Sequence, residues 1–285
     1  MPDVSAPLDR WVGRREVRDA VIAPGPAIRL AATLDRDDAP LVEGDPLPPG
    51  WHWLYFLSAT RRSALGPDGH TARGGFLPPV DLPRRMWAGG RLRFLAPLAV
   101  GAPATRVSEI VSVAAKEGQS GRLVFVTVRH RISAEGVLAV EEAHDIVYRE
   151  APRPGTSAPP APAPPAGPWR REVRPDPVLL FRFSALTFNA HRIHYDRAYA
   201  TGIEGYPGLV VHGPLMAVLL LDLLCREAPE ARLAAFDYRA RAPLFDDAPF
   251  TVSGAPNGEG ATLWAIGPDG GLAMEGAARF GPSPS

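Results

Sequence analysis

A chain of 285 residues, 46% of them hydrophobic, is long enough to bury one large core or two modest ones. Its 31 Lys+Arg balance 31 Asp+Glu, so net charge gives no reason to expect nucleic acid or a membrane surface as partner, and an anionic ligand must be met by local clusters. The lone Cys225 excludes an internal disulfide and a cysteine zinc site. With no basic-then-apolar leader and no apolar run near the ~20 residues of a membrane span, a cytoplasmic protein is expected.

Lys116 is the single lysine, and with abundant Pro, Gly and Ala this reads as the codon bias of a GC-rich bacterial genome. Residues 11–36 give two helical patterns, one starting at Trp11 and one running from Ala27 to Asp35, neither with a motif. A proline-dense approach, Gly44 to Gly50, leads to Trp51-His-Trp-Leu-Tyr-Phe-Leu57. That aromatic cluster is too concentrated for water and must pack into a core or line a groove. Residues 61–90 hold many Gly and Pro and no period, and read as a long ordered loop of the kind that often carries function. Strands are predicted over Arg91–Leu95, Thr105–Ala115, Leu123–Ile132 and Val137–Tyr148, with a turn at Gly118–Gly121. Joined by short turns, they make an antiparallel meander.

The run Ala151–Pro168 is so rich in Pro and Ala that it reads as an extended connector. It divides the chain into an N-terminal half, residues 1–150, and a C-terminal half, residues 169–285. The second half opens on Phe183-Ser-Ala-Leu-Thr-Phe-Asn-Ala-His-Arg-Ile-His-Tyr-Asp196, then reaches Gly208-Leu-Val-Val-His-Gly-Pro-Leu215 through a glycine-bearing loop. From Pro214 to about Glu227 the sequence is hydrophobic nearly all round, which predicts a buried helix. A polar cluster leading into a buried helix suggests an active site. Further strands are predicted over Ala235–Arg241, Phe250–Ser253, Ala261–Ile266 and Leu272–Phe280. Arg93–Pro103 and Arg239–Pro249 agree at Arg, Ala-Pro-Leu and Ala-Pro without gaps, at the same point of each meander. The chain therefore reads as two copies of one unit, with the His-rich motif in the second alone.

These residues carry a resemblance. Asn189-Ala-His-Arg-Ile-His-Tyr-Asp196 with His212-Gly-Pro-Leu215 resembles the hydratase 2 motif of MaoC-like enoyl-CoA hydratases, in which an Asp leads Asn-Pro-Ile-His-x-Asp and a His-Gly step starts a central helix. Trp51–Leu57, Gly74–Val80, Pro83–Leu92 and Phe183–Asp196 are similar to the branch of 3-methylfumaryl-CoA (mesaconyl-C4-CoA) hydratases, with mitochondrial type 2 3-hydroxyacyl-thioester dehydratases nearby. The resemblance implies an α+β double hot-dog, two tandem curled antiparallel sheets each wrapping a central helix. It implies a hydro-lyase acting on a short branched or dicarboxylic enoyl-CoA. A general 3-hydroxyacyl-thioester or itaconyl-CoA substrate, a hot-dog thioesterase and a non-catalytic acyl-binding protein are the alternatives.

By the same resemblance His194 transfers protons, and Asn189, standing where the pattern has an acid, orients water without taking its proton. The Gly213 N–H faces developing charge on the thioester oxygen. Arg192 replaces the pattern's proline and either pairs with a substrate carboxylate or is a solvated arginine on the rim. His191, Tyr195 and His212 are substrate-side candidates, with structural roles open for both histidines; Asp196 is read as the cap of a short helix from Arg197. Arg84, Arg85, Arg91 and Arg93 either meet coenzyme A phosphates or form a charged loop edge. His191-x-x-His194 is a weak metal signal, so no metal and no cofactor are expected beyond the coenzyme A of the substrate. The expected partner is the acyl-CoA itself, with a homodimer as the open question of assembly.

Overall fold

Long runs of alternating apolar and polar residues dictate extended chain, and the computed structural model, which describes residues 8–36, 41–118, 121–150 and 160–282, folds ten strands into one antiparallel sheet. The first half supplies β1 (Arg15–Val21), α1 (Pro24–Thr33), β2 (Arg84–Phe94), β3 (Pro103–Gly118), β4 (Gly121–Ala134) and β5 (Val137–Arg149). The second supplies β6 (Trp169–Val173), α2 (Pro177–Leu186), α3 (Arg197–Gly202), α4 (Gly213–Glu227), β7 (Leu233–Ala240), β8 (Phe250–Pro256), β9 (Gly260–Ile266) and β10 (Leu272–Phe280). Sheet order is β1-β3-β4-β5-β2-β7-β10-β9-β8-β6. Each half thus runs first, third, fourth, fifth, second strand, and the halves meet where β2 pairs with β7.

The repeat extends to single hydrogen bonds. Leu95 and Ala96 both donate to Ala139 O in the first half; Arg241 and Ala242 both donate to Ala273 O in the second. Leu47 N donates to Leu98 O, and Val211 N to Leu244 O, each at 2.8 Å. By this register Leu47 corresponds to Val211, so the segment after Leu47 stands where α4 begins. There the two halves differ. The second has the fifteen-residue helix α4, but the first has only a single 3₁₀ turn, Trp51–Leu54, after the helix-averse Pro48-Pro49-Gly50. The central helix expected in both halves is complete in one. The reduced turn packs on the complete helix: a Cβ on Gly50 would stand 2.9 Å from Leu221, and Trp51, Leu54, Tyr55 and Phe56 are buried in the shared core.

All residues from Leu215 to Leu224 of α4 are buried. The one charge among them, Asp222, is held by Arg171 at 2.7 Å, Arg226 at 2.9 Å and Arg36 at 3.3 Å, which ties α4 to β6 and to the chain after α1. A buried carboxylate needs such partners to offset its desolvation.

Two expectations are corrected. Arg15–Val21 is an edge strand rather than a helix; it pairs with β3, matching Arg15 to Glu109 and Asp19 to Thr105. Its side chains alternate in burial, with Glu16, Arg18 and Ala20 on the more covered face, a period of two that the charges obscured. β2 starts at Arg84, seven residues before the predicted strand, because Gly89 and Gly90 act as contact residues and not as loop. A Cβ on Gly89 would stand 2.5 Å from Tyr238 O, and one on Gly90 would meet the Tyr238 ring, so glycine alone lets β2 pass between β5 and β7. Of the connector, residues 151–159 lie outside the described residues, and Ala161 and Ala163 pair with Leu272 and Gly270 beside the β9–β10 turn. Among the described residues no helix is long and apolar enough to cross a membrane.

Candidate active site

Asp176 caps α2 by accepting from Leu179 N at 2.8 Å, and two residues past the helix end at Leu186 stands Phe188, whose φ of 49° reverses the chain. That left-handed residue, unfavourable for a side chain with a Cβ, sets Asn189 beside the start of a 3₁₀ turn, Arg192–His194. Asp196 then caps α3 by accepting from Tyr199 N at 3.0 Å, as the sequence predicts. His194 is therefore fixed from both sides.

Its Nδ1 lies 2.7 Å from Val210 O. A carbonyl only accepts, so Nδ1 carries the proton and Nε2 is left with its lone pair. His194 lines a cavity of about 1170 Å³ built from both halves, and burial lowers its pKa to about 4, keeping the ring neutral. Behind it His212 is stacked at 3.7 Å between ring centroids and is anchored through Nε2 to Ser184 Oγ at 2.8 Å. His212 is fully buried and does not line the cavity, and its contact with Ser184 fits the bracing one of its two readings.

Asn189 lines the cavity. Its Oδ1 accepts from His191 N at 3.0 Å, which leaves the amide NH₂ as its open group. Gly213 lines it too, as the first residue of α4, whose opening N–H groups have no acceptor within the helix. A Cβ there would stand 3.3 Å from Trp87 Cβ, so the glycine keeps the backbone approachable. His191 and Tyr195 also border the cavity, the Tyr195 hydroxyl donating to Ala190 O.

Arg192 is drawn elsewhere. It pairs with Asp196 at 2.8 Å, donates to Pro67 O at 3.0 Å and covers the Tyr199 ring, outside the cavity lining and partly exposed, a placement nearer the solvated arginine than the substrate ligand of its two readings. Arg91 is bound to Asp145 and Arg93 to Asp237 on the sheet, away from the lining. Arg84 lines the cavity but is paired with Glu204 and lies over Tyr206. Arg85 is different: it lines the cavity on β2, its field reaches His70, His191 and His144, and it has no ion-pair partner among the described residues.

Sequence reading missed the first half's share of the site. Asp68 and His70 come from the long loop before β2, and the His70 ring lies 3.9 Å over that of His191. Deeper in the cavity Glu142 accepts from His52 Nε2 at 3.1 Å and from Trp53 Nε1 at 3.0 Å, with His130 and His144 close by and Tyr238 OH accepting from Trp87 Nε1 at 2.8 Å. Burial opposes the charge of Glu142, yet the His52 hydrogen bond and the surrounding imidazoles hold its carboxyl below the usual range. His130, Glu142 and His144 come together within the β4–β5 hairpin, but His52 and Trp53 reach Glu142 from about 90 residues away, which no local spacing announces.

Donor atoms of Asp68, His70 and His191 lie within 4.8 Å of one another, a spacing a metal could use. His70 Nδ1, however, already faces Asp68 Oδ2 at 2.9 Å, and the two imidazoles lie ring over ring, tilted by 39°. Imidazole lone pairs lie in the ring plane, so rings so disposed aim past one another instead of at one ion.

Acid should loosen this site before it titrates carboxylates. Burial holds His130 at about 3, His144 and His194 at about 4 and His191 at about 2, against ~6.5 for an unfolded histidine. Between pH ~6.5 and ~4 the unfolded chain binds more protons than the folded one, so stability falls as pH falls, by up to ~1.4 kcal/mol per pH unit for each such ring. Melting temperature measured from pH 7.5 to 5 should drop steadily; a flat curve would mean that these rings accept protons in place.

The comparisons with known proteins agree with this geometry. The family model for hydroxyacyl-thioester dehydratase type 2 matches residues 50–246. Mesaconyl-C(4)-CoA hydratase of Chloroflexus aurantiacus is 50% identical over 278 residues, 97% of this chain and 99% of the relative. The mitochondrial hydroxyacyl-thioester dehydratase type 2 of Schizosaccharomyces pombe is 30% identical over 246 residues, 76% of this chain and 80% of its own. Among solved structures HtdX of Mycobacterium tuberculosis superposes with a TM-score of 0.68 at 17% identity, covering 94% of this chain and all of its own. A second protein of that organism, described as a double hotdog fold, gives 0.57 at 15% identity over 98% of this chain and 99% of its own. The fold is the double hot-dog.

Proposed function

We propose that this chain, which belongs to the hydroxyacyl-thioester dehydratase type 2 family, is a hydro-lyase that adds water reversibly to the double bond of 3-methylfumaryl-CoA (mesaconyl-C4-CoA). One observation carries the chemistry: a neutral imidazole, His194, locked by Val210 with its Nε2 lone pair at the cavity, beside the Asn189 amide and the N-terminus of α4. His194 Nε2 takes a proton from water as oxygen bonds to the β carbon, while the π electrons move toward the thioester oxygen. That charge is met by the Gly213 N–H at the positive end of the α4 dipole. The imidazolium, of low proton affinity in this buried place, gives its proton to the α carbon, and the product is a citramalyl-type thioester.

The substrate class follows from the cavity. A floor of Glu142, His130, His144 and Arg106 gives an alkyl tail poor company and suits a short polar acyl group. In 3-methylfumaryl-CoA the free carboxylate sits on the carbon that receives the hydroxyl, so its receptor must lie close to the water site. Arg85, whose field reaches His70 and His191, fits that need. A mass-spectrometric screen of mesaconyl-C4-CoA, mesaconyl-C1-CoA, itaconyl-CoA, crotonyl-CoA and longer enoyl-CoAs tests the reading. A gain of one water on the first, well ahead of the others, is expected. Release of free coenzyme A thiol instead would identify a thioesterase, and binding without turnover an acyl carrier.

A further inference from the structure

We infer that the first half of the chain contributes to the chemistry: His70 is a second water-binding residue of the reaction, its Nε2 accepting a hydrogen bond from the attacking water, and Asp68 is the residue that positions it. This rests on the hydratase reading above. A water that adds to an enoyl thioester presents two hydrogens. His194 takes one. Asn189, which stands where the hydratase pattern has an acid, has its carbonyl oxygen engaged by His191 N, and an amide takes no proton.

The Asp68–His70 pair is built as a relay is built. The tight turn Gly66–His70 closes on itself through Gly66 N to His70 O at 2.7 Å and Gly69 N to Gly66 O at 3.0 Å. Asp68 accepts from the His70 backbone N at 3.0 Å through one oxygen and faces His70 Nδ1 at 2.9 Å through the other. A carboxylate only accepts, so Nδ1 carries the proton and Nε2 keeps its lone pair, the same tautomer that Val210 imposes on His194. The turn is pressed onto the catalytic segment. A Cβ on Gly69, at φ +87°, would stand 1.8 Å from Ala190 O, while Arg192 holds the turn through its backbone N to Asp68 O at 2.9 Å and its guanidinium to Pro67 O. His70, His191 and His194 then follow one another along the cavity wall, at 3.9 Å and 5.4 Å between successive ring centroids.

In the hydration, the hydrogen held by His70 stays on oxygen and becomes the product hydroxyl, while the proton taken by His194 goes to the α carbon. One water is added, and both rings end neutral. In dehydration the hydrogen bond is reversed in use: His70 steadies the leaving hydroxyl as it becomes water. The charged and titratable groups facing His70 are Asp68 on its own turn, Arg85 on β2, Glu204 beyond α3 and the stacked His191.

The test compares wild type, His70→Gln, Asp68→Asn and the double variant His70→Gln with Asn189→Asp, on an enoyl-CoA that the wild type hydrates. His70→Gln should lower kcat by about 10²-fold with KM changed by less than about threefold. Asp68→Asn should lower kcat and move its acid limb to lower pH, because the carboxylate that favours protonated His70 is gone. Supplying a carboxylate at 189 in the His70→Gln chain should recover about tenfold of the loss. Melting curves establish that each variant is folded. A His70→Gln enzyme within about threefold of wild-type kcat, or an acid limb unmoved by Asp68→Asn, overturns the inference while leaving the hydratase reading intact. A wild type that hydrates no enoyl-CoA overturns the hydratase reading itself, and with it this role for His70.

Discussion

His194→Gln is expected to lower kcat for hydration by about 10³-fold while KM for the thioester moves by less than about threefold. Glutamine has nearly the reach of histidine and keeps a polar tip in the cavity, but it cannot accept a proton and return it. The loss therefore falls on the step in which water's oxygen bonds to carbon, not on binding. His194 sits in a wall of rings, stacked on His212 and edge-on to His191, so a variant that merely loosens that wall must be told apart from one that lacks a base. His212→Asn serves as that control: it disturbs the stack and the Ser184 contact from behind the cavity lining, and should cost thermal stability before it costs kcat. Turnover of His194→Gln near the wild-type value would remove His194 from the chemistry.

How much of this was legible in the sequence depended on how local each interaction is. The cap at Asp196, the buried helix after Pro214 and the strands of both meanders follow from neighbours a few residues apart, and apart from the early start of β2 they stand close to where the pattern puts them. The match between Arg93–Pro103 and Arg239–Pro249 foretold a duplication that extends to paired donors on Ala139 and Ala273. Arg192 misled because a guanidinium beside a candidate catalytic histidine advertises a ligand, and nothing in the sequence says that Asp196 and Pro67 already hold it. Asp68 and His70 stayed hidden for the opposite reason. Gly66-Pro-Asp-Gly-His70 has the composition of an ordinary turn, and only the fold brings it against Ala190, 120 residues later.

The reduction of one central helix connects these points. Where the second half spends fifteen residues on α4, the first makes one 3₁₀ turn and then a long excursion, Tyr55 to Pro83, before β2. That excursion carries Asp68 and His70 across to the other half's motif. The missing helix leaves its side of the sheet free to line a cavity, which is floored instead by Glu142, His130 and His144 from β4 and β5. Duplication gave two equivalent units; loss of the helix in one lets it serve the other.

Substrate choice should then rest on Arg85, and Arg85→Leu is expected to lower kcat/KM for mesaconyl-C4-CoA by about 10²-fold or more while leaving crotonyl-CoA within about threefold. Crotonyl-CoA has only a methyl group on the β carbon, with no carboxylate there. Arg85 lies opposite Tyr148 in the β2–β5 register and two residues before Trp87, and its charge acts on His70, His191 and His144. Around it burial keeps His191 and His144 neutral, so a carboxylate that left bulk water there would rely on Arg85 to offset its desolvation, and with leucine it would lose that charge. Arg85→Lys keeps the charge but not the two parallel N–H donors, and should fall between the two. Competition between the two thioesters, read by mass spectrometry in one tube, measures the ratio directly. Equal losses on both substrates would place Arg85 on the part they share, the thioester and its coenzyme, and would leave the choice of a dicarboxylic acyl group without its receptor.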